Sequence, residues 1–348
     1  MYDQIYGFGV VGCGVISDTH LDAIGLLPNA RVVAVCDTRE EAARAKAEKY
    51  GCAYYTDLSE MLKREDLHVC NVVVPSGLHA KLGIQCVEAG KHVICTKPID
   101  ITLEAIDALI AAADRNGVLV GATHQCRGMS VYKRLKQAID EGRLGKLLYG
   151  NALVPWYRTD EYYSDGWHGT KRLDGGGALM NQSIHYVDLL LWMLGDPVEV
   201  FGYAEQKAHP MIEVEDCASA VGKFASGAQG VIQGTTCTYK GHPAVLEIHG
   251  TTGNVRIVGD QLQLWEVAGE PTESIPGAGM LAGAADPKMG MLGEAVQAHA
   301  DQIADLLAAI DEGRQPALNG QEARKAVELI LAIYRSSETG QLVKLPLV

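Results

Sequence analysis

Three stretches carry residue types that could move a proton or hold a charged ligand. Lys97 follows the apolar run His92–Cys95 and precedes Pro98, which restricts its backbone to extended geometry. A lysine leaving a buried strand for a ligand cleft is desolvated, so its pKa falls toward the range useful for acid–base work. A solvated loop lysine is an equal reading of the position. Asn181 and His185 are spaced i, i+4 within the stretch from Gly175 to Asp188, so they share one face of a helix. The run Gly175-Gly176-Gly177 removes side-chain bulk where a substrate could lie against the backbone. Leu179, Val187 and Leu190 would anchor that helix in the core, and a purely structural histidine is the alternative. The third stretch is Gly12-Cys13-Gly14-Val15-Ile16-Ser17, fed by an apolar run from Ile5 and followed by a helical pattern from Ser17 to Leu27. Strand, glycine turn and helix together make a dinucleotide site, with amides at the helix N-terminus facing a pyrophosphate.

A competing register lies just upstream, where Gly7-Phe8-Gly9-Val10-Val11-Gly12 matches G-x-G-x-x-G letter for letter. It would leave only Met1–Tyr6 for the first strand and is rejected. In the chosen register Ser17 stands at the third glycine position. The run from Arg31 reads as a second strand ending in Asp37, at about the ~20-residue offset a ribose-binding acid requires. A carboxylate there accepts from ribose hydroxyls and repels a 2′-phosphate, favouring NAD over NADP; Arg39 argues the other way, since it could hold that phosphate.

The elements around these stretches follow from pattern. At 348 residues the chain is read as two domains, on a prior of about 150 residues each. To about residue 122, apolar strands alternate with helices, three of them closed by Gly51, Gly90 and Gly117, as in a doubly wound parallel sheet. Pro75-Ser76-Gly77-Leu78-His79, Thr96-Lys97-Pro98 and the turn carrying His124, Gln125 and Arg127 fall at strand C-termini, where such sheets bind ligands. From residue 123 to 348 the order is helix Ser130–Asp140, strand Leu147–Pro155, an aromatic-rich loop Trp156–Gly177, helix Ala178–Leu194, then consecutive strands. Strands without intervening helices imply an α+β domain with a mostly antiparallel open sheet. Residues 269–290 read as a long loop, and Glu294–Glu312 and Gln321–Ser336 as closing helices.

Composition limits the function. A formal net charge of −13 argues against nucleic acid or an anionic membrane surface. No apolar run reaches the ~18 residues of a membrane span, and the N-terminus lacks a signal-peptide pattern. Nine cysteines without a C-x-x-C pair suit reduced thiols in a cytoplasm. The eleven histidines show no zinc-enzyme spacing, so no metal is expected.

These motifs resemble, along essentially the whole chain, the Gfo/Idh/MocA family of oxidoreductases. The carriers are Gly12–Ser17 with His20, Pro75 with His79, Thr96-Lys97-Pro98, the glycine run through His185 and Asp188, and the C-terminal stretch from His299 to Pro346. The resemblance implies a Rossmann domain, a C-terminal domain whose open sheet makes a homodimer or homotetramer, and hydride transfer between NAD(H) and a sugar, polyol or sugar derivative. It makes Lys97 and His185 the catalytic pair, with Asn181 beside them. Gly12, Cys13, Gly14, Val15, Ile16, Asp37, Arg39, Pro75, Ser76, His79, Thr96, Lys97 and Gln125 would hold the cofactor. Lys97, Arg127, Trp156, Tyr157, Trp167, His168, Asn181 and His185 would face the substrate.

Two positions depart from the family pattern. Thr96 replaces a glutamate, and Asn181 replaces an aspartate. With no carboxylate near Asn181, Lys97 is expected to titrate low and to share proton transfer with His185. Trp156, Tyr157, Tyr162, Tyr163 and Trp167 are either sugar-stacking faces or core. Arg158, Lys171, Arg172 and Arg127 could bind a carboxylate or phosphate, with Asp160, Glu161 and Asp165 offsetting that charge. An NAD-dependent glycoside hydrolase of the same fold and a non-catalytic nucleotide-binding sensor are the rival readings.

Overall fold

The computed structural model describes residues 4–274 and 292–347. Its contacts define two compact units, Met1–Gly128 with Met291–Arg324, and Met129–Gly290 with Lys325–Val348.

In the first unit, β1 (Tyr6–Val11), β2 (Ala30–Cys36), β3 (Ala53–Tyr55), β4 (Val69–Val72), β5 (His92–Thr96) and β6 (Val120–Thr123) form a parallel sheet. Their order is β3-β2-β1-β4-β5-β6, so the connections reverse direction between β1 and β4, where a doubly wound sheet opens a crevice for ligand. The helices are α1 (Ser17–Gly25), α2 (Glu40–Tyr50), α3 (Leu58–Leu62), α4 (His79–Glu88) and α5 (Leu103–Asn116). All six residues of β1 are buried, which is why its sequence is continuously apolar or glycine rather than alternating. Gly7 and Gly9 lie inside that strand, so the upstream glycine register is indeed not the turn. Left-handed Gly51 and Gly117 close α2 and α5.

The division of the chain differs from a boundary at 122/123. Helix α8 (Leu292–Glu312) belongs to the first unit: Ala300, Ile303, Leu306 and Leu307 pack with Phe8, Val10, Leu21 and Ile24. Spacing of three to four residues gives that helix a single apolar stripe, and the face of the parallel sheet beside α1 is what the stripe covers. Short β3 and α3 were not anticipated, because three to five residues carry too little periodicity to register.

The second unit holds α6 (Ser130–Asp140), α7 (Ile184–Leu194) and most of α9 (Gly320–Thr339). Its strands are β7 (Leu147–Pro155), β8 (Pro197–Glu205), β9 (Cys217–Phe224), β10 (Gln229–Thr235), β11 (Val245–Gly250), β12 (Gly253–Val258), β13 (Gln261–Val267), β14 (Glu273–Ser274) and β15 (Val343–Lys344). They form one sheet in the order β14-β13-β12-β11-β7-β10-β9-β8-β15. The sheet is antiparallel except where β7 and β10 run parallel. Buried and exposed residues alternate along β9 and β10, so one face is covered and the other bare. Gly150 and Gly230 let Leu190 of α7 sit against the covered face, where a Cβ would approach its methyl carbons at 2.9 and 3.4 Å. β14 falls within the expected loop 269–290, and the rest of that loop, from residue 275, lies outside the described residues.

The helix expected over Ala178–Leu194 is in fact two pieces. Ala178–Ser183 is a π-helix, and regular α-helix begins at Ile184.

Candidate active site

In the first unit, Gly12 makes the turn after β1 with φ +105°, and a Cβ there would come within 2.6 Å of the Val73 carbonyl oxygen. Only glycine meets both demands. The Asp37 carboxylate accepts the Cys13 amide at 2.9 Å and the Arg39 amide at 2.9 Å, and the Arg39 guanidinium grips it at 3.2 Å. Burial opposes the Asp37 charge, but the bonds from Arg39 and Cys13 outweigh it and hold the carboxyl below the usual range. Arg39 therefore spends its charge on Asp37. The Cys13 thiol, pushed up to about 12 by burial and then by Asp37, is inert as a nucleophile.

This turn fits a dinucleotide on its own evidence. A Cβ at Gly14 would touch nothing within 4 Å, Val15 is 86% exposed and Ile16 45% exposed, and α1 starts without a side-chain cap at Ile16. Bare backbone and apolar surface at a helix N-terminus suit a pyrophosphate and its sugar. Ser17 bonds back to the Gly14 carbonyl at 2.6 Å, occupying the third glycine's place within the turn.

The other strand-end residues are fixed by one histidine. His79 is buried, with Nδ1 2.7 Å from the Pro98 carbonyl oxygen and Nε2 2.7 Å from that of Val74. Burial keeps the ring neutral with a single N–H, so it donates to one of these carbonyls and packs against the other, between the segment after β4, with Pro75 and Ser76, and the segment after β5 that carries Lys97. Thr96 is the buried last residue of β5, and Lys97 is half-buried just beyond it. Gln125 and Arg127 lie in the turn after β6, where Arg127 pairs with Glu322 at 3.2 Å rather than standing ready for a substrate anion.

The second unit assembles a separate constellation around the π-helix. The glycine run turns out to serve the protein's own packing. A Cβ on Gly176 would lie 2.1 Å from the Tyr334 hydroxyl, and one on Gly177 would lie 2.1 Å from the Glu215 carbonyl oxygen. Glu215 then caps the π-helix: its carboxylate accepts the amides of Gly177 (3.0 Å) and Leu179 (2.7 Å), and the Tyr334 hydroxyl at 2.7 Å. Burial outweighs these bonds and pushes its pKa up to about 6. A carboxyl whose folded pKa exceeds its unfolded value contributes stability below the unfolded pKa and loses it as pH rises through the folded one. The stability advantage of the wild type over Glu215→Gln should therefore shrink by about 2 kcal/mol between pH 4 and pH 7. Denaturant titrations of both proteins at the two pH values check this, and a constant difference would refute it.

Asn181 and His185 are both buried, Asn181 in the π-turn and His185 in α7. The expectation that no carboxylate lies near Asn181 is wrong. Its amide nitrogen donates to Asp174, a carboxylate only 1% exposed, whose other oxygen accepts the Gly169 amide at 2.8 Å. The Asn181 oxygen accepts from Gln182 Nε2 at 2.8 Å, and the same nitrogen donates to the Tyr162 hydroxyl at 2.8 Å. The premise for a low-titrating Lys97 falls with that finding. Asn181→Asp would place two carboxylates in contact, so that one must hold a proton. The variant should show an added ionisation between about pH 5 and 8 in its kcat/KM profile; superimposable wild-type and variant profiles would rule this out.

Tyr163 is buried against Ile212 and Val214, and its hydroxyl bonds Thr236 at 2.8 Å, so it is core. The Trp167 and His168 rings lie with centroids 3.7 Å apart and tilted by 32°, and the His168 ring centroid lies 4.2 Å from that of Tyr162, with Nδ1 2.6 Å from Asp165. Trp156 stands edge-on to Tyr186 at 6.3 Å, while Tyr157 is exposed and edge-on to Tyr239 at 6.3 Å. Asp174, Gln182 and Glu215 were missed. Asp174 directly precedes the glycines and Gln182 directly follows Asn181, so adjacency was the available signal; nothing local flags Glu215.

Fold and site define the class: an oxidoreductase built on an NAD-binding Rossmann unit. Residues 6–124 match the oxidoreductase family with an NAD-binding Rossmann fold, and residues 132–256 match the GFO/IDH/MocA C-terminal domain. The chain belongs to the Gfo/Idh/MocA family. It is similar to the WlbA dehydrogenase of Bordetella pertussis, solved with NADH and UDP-GlcNAcA, at 31% identity and TM-score 0.88 over 100% of both chains. It is also 26% identical to myo-inositol 2-dehydrogenase of Thermotoga maritima, across 97% of this chain and 98% of that protein. A third relative is 1,5-anhydro-D-fructose reductase of Ensifer adhaerens, 25% identical over 97% and 98% of the two chains.

Proposed function

We propose that this protein is an NAD-dependent dehydrogenase of a sugar, polyol or sugar derivative, with Lys97 and His185 acting together on the reacting hydroxyl. The observation that carries the reading is the place of Lys97, half-buried directly after the C-terminal end of a Rossmann strand. Relatives named for inositol, anhydrofructose and a UDP-sugar acid support the substrate class. Bound NAD supplies the hydride acceptor or donor. Gly12, Gly14 and Asp37 hold it, Asp37 favouring NAD because its carboxylate repels a 2′-phosphate. In the oxidative direction Lys97 Nζ donates a hydrogen bond to the reacting oxygen and stabilises developing alkoxide, while His185 accepts the hydroxyl proton. The test is NADH formation from NAD⁺ with a panel of polyols, aldoses and sugar acids. Bound nucleotide with no net NADH on the panel, but cleavage of glycosides, would move the assignment to the hydrolase.

Self-association through the bare sheet face fits the same reading. Tyr149, Val221, Val231 and Tyr203, between 39% and 59% exposed, lie on its strands. Such a surface is unusual on a monomer. Val221→Glu should shift a dimer or tetramer to smaller species in light scattering; a monomeric wild type would disprove the interface.

A further inference from the structure

Ten arginines among the described residues form ion pairs with carboxylates. Arg115, Arg172 and Arg335 do not, but they are exposed to water. Arg158 is half-buried, and among the described residues it makes no ion pair. Its guanidinium donates to two neutral carbonyls, the Tyr157 backbone at 3.1 Å and the Gln182 side chain at 2.6 Å. It also lies over the rings of Trp156 and Tyr162, 5.5 and 5.3 Å from their centroids. The acids near it in sequence do not neutralise it: Asp160 and Glu161 are exposed, and Asp165 is taken by His168 and two backbone amides.

The arginine is also held in advance of any ligand. Its amide donates to the Thr236 carbonyl at 2.8 Å, and its own carbonyl lies 2.9 Å from His209 Nε2. Gln182 donates through its amide nitrogen to Asn181 and Tyr162, so its oxygen must face Arg158. A partly desolvated cation without an anion is costly, and a fixed guanidinium fork matches a carboxylate or phosphate edge-on.

We infer that Arg158 is the anion-receiving residue of the substrate site, so that the sugar this enzyme prefers carries a carboxylate or a phosphate ester. This rests on the dehydrogenase reading, which assigns Asn181 and His185 to the same site. Two bonds are committed to Tyr157 and Gln182, leaving further N–H groups of the guanidinium for the ligand.

The test uses the full chain saturated with NAD⁺ and three probes, D-glucose, D-glucuronate and D-glucose 6-phosphate, followed by calorimetry and NADH formation. Wild type should bind one or both anionic sugars at least tenfold more tightly than D-glucose, and their ranking tells carboxylate from phosphate. Arg158→Gln should weaken the anionic sugars at least tenfold more than D-glucose, and Arg158→Lys should restore part of the difference. Equal binding of all three probes, absence of anion binding at millimolar concentration, or an equal loss for charged and neutral sugars in Arg158→Gln would overturn the inference. Arg158-dependent anion binding without NADH from any sugar would sink the dehydrogenase reading alone. Turnover of neutral sugars with no preference for charge would sink the anion site alone.

Discussion

Lys97→Ala should lower the rate of NADH formation on the best substrate by about a thousandfold while nucleotide binding persists. The lysine is half-buried at the end of β5, and the backbone on its C-terminal side packs against His79, whose Nδ1 lies 2.7 Å from the Pro98 carbonyl oxygen. A pre-placed ammonium need not reorganise as charge develops on the reacting oxygen, and that is why its removal costs so much. The proposed nucleotide contacts centre instead on the turn after β1, where the Asp37 carboxylate and the bare Gly14 backbone remain intact in the variant. Steady-state rates and a nucleotide fluorescence titration separate the two effects. Residual activity within tenfold of wild type would remove Lys97 from the chemistry, and nucleotide binding without any wild-type turnover would favour the sensor.

Gly177→Ala should destabilise the second unit by about 3 kcal/mol, at the upper end of the usual cost of overpacking. The new Cβ would lie 2.1 Å from the Glu215 carbonyl oxygen. Backbone cannot rotate aside as a side chain can, and that same carbonyl accepts the Ala178 amide at 3.0 Å. Relief therefore means breaking the cap of the π-helix. Gly14→Ala is the contrasting case, because its Cβ meets nothing within 4 Å. It should change stability by less than about 0.5 kcal/mol yet weaken NAD binding, since the methyl group would stand where we propose that the pyrophosphate approaches. Denaturant midpoints for both variants, with NAD affinity for the second, distinguish a glycine kept for packing from one kept for ligand. Equal stability losses would erase the distinction.

Much of the first unit was legible because its signals are local. A continuously apolar strand, a glycine turn and an acid after the next strand specify one supersecondary unit, and left-handed glycines mark its helix ends. The motif residues of the second unit were legible as well, but not their purposes. Gly175-Gly176-Gly177 reads as room for a substrate, whereas Gly176 and Gly177 make room for Tyr334 and Glu215.

By itself, then, the sequence determined the Rossmann strands β1, β2, β4, β5 and β6 with the longer helices between them, the glycine turn with Asp37, and the positions of Lys97, Asn181 and His185. Each depends on periodicity or on neighbours within a few residues, where backbone geometry follows directly from residue type. Tertiary structure alone decided that α8 completes the first unit, that Glu215 caps the π-helix, that Asp174 supplies the carboxylate beside Asn181, and that Arg158 has no acid of its own among the described residues. Those outcomes join residues far apart along the chain or choose among neighbours by direction. Burial, charge pairing and hydrogen-bond orientation are properties of three-dimensional surroundings, and no spacing in one dimension encodes them.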